Sequence, residues 1–243
     1  MSRNELVHRG PSRILPGAWL WLAVALAGAQ ARLPSWAATN SLPPLRSQLA
    51  ASPTNVALLV AAGDRAHTLG GRGDAAAVAE GEAWLKQALE IQPTNALARA
   101  LLGSLTTMKA RDAFWPNVQL GRFRDGNRLL DEAVAAAPDD PRVRSLRAFN
   151  NAHQPAFLGR KDILRADLGW LWVRIQAGSD GLDAHSRQEA ALRWGEVLAA
   201  DRRPDEARAV WTAGVAFAPD SDFAGRMQRE LAKLPPRDGS PNR

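Results

Sequence analysis

The sequence predicts an all-α protein: antiparallel helix hairpins stacked as a solenoid, about eight helices in all and irregular in the middle. Three observations carry that prediction. Ala and Leu dominate a chain that lacks Tyr and Cys, a mixture that favours helix over strand. Four Ala-rich stretches end in proline, at Pro53, Pro93, Pro138 and Pro219, where a helix has to stop. Each of these prolines is followed by Thr, Asp or Asn residues that can cap a further helix, so the endings suggest a period.

Composition sets outer limits on function. At 243 residues the chain can form one large domain or two small ones with a real core. Without cysteine it has no disulfide scaffold, thiolate metal site, cysteine nucleophile or acylated lipoprotein anchor. The formal charge is +6, from 31 basic against 25 acidic residues. Arginines dispersed among acids do not make the clustered stripe of a nucleic-acid binder, so no nucleic-acid partner is expected.

Residues 1–31 differ in kind from the rest. Arg3, Arg9 and Arg13 precede the uncharged run "ILPGAWLWLAVALAGAQA", which ends in Ala29-x-Ala31. A basic head, an apolar stretch and small residues before a cleavage point describe a signal peptide. An uncleaved N-terminal membrane anchor is the alternative, because the run is just long enough to span a bilayer. Either reading delivers the following residues across the membrane. The protein would then be periplasmic or secreted, or membrane-anchored with its helices outside the cytoplasm.

The hairpins follow over residues 40–232. In the first, "VALLVAAGDRAHTLG" from Val56 supplies Gly63, and "GEAWLKQALEIQP" supplies Gly81, Leu85 and Ala88. The second begins at Ala96, with Leu102 and Gly103 facing Gly126, Leu130 and Ala133. Its excess length is assigned to a loop, "RDAFWPNVQLGRF", as the excess of the first is to "GGRGDAA". The third pairs "PRVRSLRAFNNA" with "KDILRADLGWLWVRI" across "HQPAFLGR". The fourth runs "QEAALRWGEVLAADRRPDEARAVWTAGVAFAPDS" from Gln188. Small residues such as Gly195, Ala207 and Gly214 let two helix backbones approach while Trp194, Leu198 and Trp211 fill the space beside them. Residues 176–186 read as a hinge before this last hairpin, and residues 233–243 as a disordered polar tail.

The spacing of Ala191, Trp194, Gly195, Leu198, Ala207, Trp211 and Gly214 resembles the tetratricopeptide repeat, a helix-turn-helix unit of about 34 residues. Residues 96–173 resemble more narrowly a group of uncharacterised exported or membrane-associated bacterial proteins of this type. The matching positions are Trp115, Pro116, Gly126, Pro155, Phe157 and Gly159. The resemblance implies architecture and assigns no activity. Two helix positions where the repeat usually carries an aromatic hold Thr106 and Asn151 instead, which marks the middle as irregular.

Candidate contact residues lie in the second and third hairpins. Phe114, Trp115 and Phe123 stand close to Arg122 and Arg124 in the long insertion. So much aromatic area must either fold over a neighbouring helix or anchor a partner. Arg124 and Arg128 share a helix face, and Arg142, Arg144 and Arg147 open the next helix. They can receive an acidic partner, or be paired internally with acids such as Glu132. Trp115, Arg122, Arg124, Arg128 and Arg144 are therefore the candidate partner-binding residues. No catalytic, cofactor or metal site is assigned, since His8, His67, His153 and His185 are scattered and Gly70, Gly71 and Gly73 belong to no phosphate loop. Arg72-Gly73-Asp74 reads as an ordinary turn.

The expected function is a non-catalytic protein-protein interaction scaffold or adaptor in the bacterial cell envelope, with a protein or peptide partner and no cofactor. Two alternatives accompany it. One is an enzyme, or an accessory subunit of one, acting on an envelope polymer near His153 and Arg122 to Arg128. The other is a structural homo-oligomer.

Overall fold

The computed structural model describes residues 42–235. The signal or anchor reading of residues 1–31 and most of the tail lie outside them. The unit from Asn40 onward is compact by itself, and the described part contains ten α-helices and no strand. These are α1 (Leu42–Ala51), α2 (Val56–Gly71), α3 (Ala75–Ile91), α4 (Ala96–Arg111), α5 (Pro116–Ala136) and α6 (Pro141–Ala152). A 3-10 turn, Ala156–Leu158, precedes α7 (Lys161–Gln176), α8 (Ala184–Ala200), α9 (Pro204–Phe217) and α10 (Asp222–Lys233). The eight expected helices are the four hairpins α2–α3, α4–α5, α6–α7 and α8–α9. Helices α1 and α10 pack against the two ends of this stack, where a solenoid needs a cap over its apolar surface.

The proline signal works through local chemistry. Two residues after each of the four prolines stands an N-cap: Asn55, Asn95, Asp140 and Ser221. The side-chain oxygen of each accepts a hydrogen bond from a backbone N–H in the first turn of the helix it caps, at 3.2 Å from Leu58, 2.9 Å from Ala98, 2.8 Å from Arg142 and 3.0 Å from Ala224. Proline ends one helix and the cap satisfies the orphan donors of the next.

Most of the inserted residues are helical. The first hairpin absorbs its excess by lengthening both helices, so that only Arg72 to Asp74 remain between α2 and α3. In the second, Pro116 occupies the first turn of a helix of 21 residues, and "PNVQLGRF" is helical. A proline that breaks a helix from within is well placed at its start, where its missing N–H is no loss. The linker 177–183, within the stretch 176–186 read from sequence as a hinge, is tethered: Leu182 is buried, and the buried Asp180 accepts from the Leu182 N–H at 2.8 Å and from Arg187 Nε at 2.9 Å.

Small residues set the helix spacing. The α4 and α5 backbones meet at Gly103 and Gly126, where a β-carbon on Gly126 would lie 2.6 Å from the Gly103 carbonyl oxygen. In the last hairpin a β-carbon on Gly195 would collide with the indole of Trp211, which donates to the Leu192 carbonyl at 3.1 Å.

Two large apolar clusters result. One surrounds Leu59, Leu85, Leu101 and Leu105 in α2–α4, and the other Leu168, Leu171, Leu192, Trp211 and Met227 in α7–α10. At the joint between them a smaller apolar cluster of Ala100, Leu130, Ala133, Val134 and Val143 is interleaved with buried polar groups. Ser104, Thr107, Asn127, Asn151 and Asp167 are all buried there, which gives the irregular middle a physical cause.

Candidate interaction surface

The second hairpin places its sequence-predicted residues differently from one another. Helix α6 has 12 residues against 21 in α5, or about 18 Å against about 31 Å. Side chains from α6 and the turn after it engage α5 only from Asn127 onward, through Gln154 to Asn127 and through Arg147 and Arg160 to Asp131. The first half of α5 therefore extends beyond its neighbour. It is tied to the preceding helix by Arg122 Nη1 on the Lys109 carbonyl, at 2.5 Å, and to the loop by Gln119 on the Ala113 carbonyl, at 2.7 Å.

At the end of this projection Phe114 is 85% exposed and Trp115 64% exposed. Their rings contact each other edge to face, with centroids 5.1 Å apart. Of the two readings of these aromatics, folding over a neighbouring helix is thus not met. Val118, one turn on, is exposed as well, and nothing lies within 4 Å of where a Gly121 β-carbon would sit. Phe157, on the corresponding turn of the third hairpin, is 80% exposed.

The arginines divide into spent and free. Arg144 Nη1 donates to Asp167 Oδ1 at 2.9 Å, and its guanidinium also stacks on Trp170. Arg128 pairs with Glu132 at 2.6 Å, and Arg122 holds the Lys109 carbonyl. Arg124 is exposed and has no ion-pair partner among the described residues. The five candidate residues therefore do not form one patch; only Trp115 and Arg124 remain open to a partner.

The third-hairpin cluster is structural. Arg147 bridges the buried Asp167 and Asp131, while Arg160 binds Asp131 at 2.7 Å and 2.9 Å. Burial alone would lower the Arg147 pKa, but the bonds to Asp167 and Asp131 outweigh it and hold it raised. Asp131 and its neighbour Glu132 serve different helices, as expected for adjacent residues on a helix.

Sequence reading missed a polar chain crossing three hairpins. His67 Nε2 lies 2.8 Å from Ser104 Oγ, which accepts from Asn150 Nδ2 at 2.6 Å. Thr107 Oγ1 donates to Asn150 Oδ1, and Gln154 and Asn127 exchange two hydrogen bonds. Burial lowers the His67 pKa, against the opposing pull of Asp64 and Glu189. The only sequence signal is polar residues recurring on the small-residue side of α4 and α6.

His153 is exposed, 3.1 Å from Arg193 and 3.5 Å from Glu189. It shares no hydrogen bond with the Arg122 to Arg128 stretch. Among the described residues no three His, Asp or Glu side chains cluster as a metal site. Asp74 of the Arg-Gly-Asp triplet caps α3, accepting from Ala77 N at 2.9 Å. An apolar cavity of about 280 Å³ lies between α7 and α9, lined by Trp172, Ile175, Val210 and Phe217 among others.

These features define a tetratricopeptide-like solenoid whose exposed aromatics sit on its hairpin turns. A solved structure bears out the fold. The chain is similar to the crystal structure of a thermophilic TPR protein from Thermus thermophilus, with a TM-score of 0.59 and 19% identity over 79% of this chain and 89% of that one. No protein-family model and no curated protein matches the sequence.

Proposed function

We propose that the protein is a non-catalytic scaffold or adaptor of the bacterial cell envelope. The stacked hairpins offer their faces to partner proteins, and the projecting end of α5 is the point at which the scaffold docks. One observation carries this reading: Phe114 and Trp115 stand in solvent at the start of a preformed helix, which further along presents the exposed Arg124, without an ion-pair partner among the described residues. Exposed aromatics and arginines are the usual anchors of an interface, and a rigid mount reduces the entropy lost on docking.

The envelope assignment rests on the basic and apolar N-terminal sequence and the Ala29-x-Ala31 site. Periplasmic or secreted protein is the expected product of cleavage; an uncleaved segment would leave the scaffold anchored.

Affinity purification of tagged protein from its own envelope fraction tests the reading, comparing wild type with Trp115→Ala. A stoichiometric companion lost in the variant, at unchanged melting temperature, supports it. A variant that simply melts earlier would show that Trp115 is packing and sink it.

A further inference from the structure

We infer that the free end of α5 is a membrane-contact site, with Phe114, Trp115 and Val118 entering the interfacial layer of an anionic bilayer and Arg124 and Arg72 meeting lipid phosphates. This rests on the docking reading above and names the partner of that same site.

Shape is the first argument. The two aromatic rings touch each other and form a convex tip, with open space beside Gly121. A convex apolar tip needs a matching socket in a protein, whereas a bilayer interface yields around it. Trp and Phe also gain most where one end is apolar and the other wet.

Charge is the second. Arg111 and Asp112 at the tip neutralise each other at 2.8 Å, and Asp74 is committed to capping α3. Arg124 and Arg72 have no carboxylate partner among the described residues, and neither does Lys161, the first residue of α7. Asp125, the chain neighbour of Arg124, is an exposed acid that opposes it, as Asp162 does beside Lys161. Arg72 belongs to the same edge, because Arg111 Nη2 reaches the Gly70 carbonyl at 3.5 Å. The whole chain carries +6, of which residues 1–31 supply +2 through Arg3, Arg9 and Arg13 against Glu5, so the chain from residue 32 onward keeps +4, a net positive charge that favours approach to an anionic surface.

Topology is the third. Successive helices run in opposite directions, so the turns within hairpins share one edge of the stack. The exposed Phe157 occupies the third of these turns. Among the described residues no helix is long and apolar enough to cross a membrane, so this contact lies on the surface. A few interfacial side chains give weak, reversible binding, suited to orienting the scaffold.

The chain has no cysteine, so single labels can be placed in the full-length protein. V118C carries an environment-sensitive dye at the tip, and V173C, at a position 63% exposed on α7, is the control. The labelled proteins are reconstituted with vesicles of phosphatidylcholine containing about one third phosphatidylglycerol, and with phosphatidylcholine alone. The inference expects the tip dye alone to be quenched by brominated lipid in anionic vesicles. F114S/W115S should abolish the quenching, and R124Q should weaken tip partitioning about fivefold. A tip dye that stays aqueous in both vesicles overturns the inference, and equal quenching at both positions does so too. If a protein from native membranes instead shields V118C from an aqueous quencher, and W115A removes that shielding, membrane contact is wrong and the docking reading stands. If neither lipid nor protein shields it, both fail.

Discussion

Arg147 grips the fully buried carboxylate of Asp167 from two sides, Nε to Oδ2 at 2.7 Å and Nη2 to Oδ1 at 2.8 Å. Removing one partner of a buried pair strands the other charge, which costs about 3–5 kcal/mol. Asp167→Ala should therefore lower stability by that amount in urea titrations. Asp162→Ala, at the exposed start of the same helix, should change it by less than about 0.5 kcal/mol. Equal effects from the two would refute the account of the joint.

Two tryptophans should behave as opposites. Trp211 is 2% exposed and lies against Gly195, while Trp115 is 64% exposed. Trp211→Ala is expected to cost about 3–5 kcal/mol. Trp115→Ala should fall within about 0.5 kcal/mol of wild type, as scored by thermal melting of both variants.

His67 should make stability fall in mild acid. Burial lowers its folded-state pKa below the reference 6.5, so between those two values the unfolded chain binds a proton that the folded chain does not. Stability is then lost as pH drops through 6.5 toward the folded pKa, and this contribution levels off below it. The hydrogen bond with Ser104 is disturbed in the same range. His67→Gln should flatten that part of a denaturation profile; an unaltered slope would place the titration elsewhere.

Asp64 on α2 and Arg142 on α6 meet at 3.0 Å, joining hairpins that are not neighbours in the stack. Both side chains are half exposed, so a double-mutant cycle with Asp64→Asn and Arg142→Gln should give a coupling of about 1 kcal/mol or less. Raising salt should diminish it. A larger, salt-insensitive coupling would mean that the pair is buried in solution.

Much of the fold is legible because its signals are local. Pro53, Pro93, Pro138 and Pro219 stop helices by their own covalent geometry, and the residue two positions later caps the next helix within one turn. Gly103, Gly126 and Gly195 mark close approaches because only small residues fit there. The insertion before Gly126 reads as a loop because Pro116 looks like a breaker in isolation, although it starts a helix. The end helices α1 and α10 are signalled by Pro53 and by the cap after Pro219, but they have no partner within the repeat period, so a count of hairpins leaves them out.

By itself, then, the sequence determined that this is an all-helical stack of hairpins, where the helices before Pro53, Pro93, Pro138 and Pro219 end, and which small residues separate the pairs. Those properties depend on backbone dihedrals and side-chain volume over a few residues. Tertiary structure alone decided which charges are spent and which are free. Arg144 and Arg124 look alike in the chain, yet Asp167, 23 residues beyond Arg144, pairs with it, while no acid among the described residues reaches Arg124. It also decided that Phe114 and Trp115 stay in solvent, because α6 is too short to reach the end of α5. Exposure is a relation between helix lengths and packing, and no local pattern encodes it.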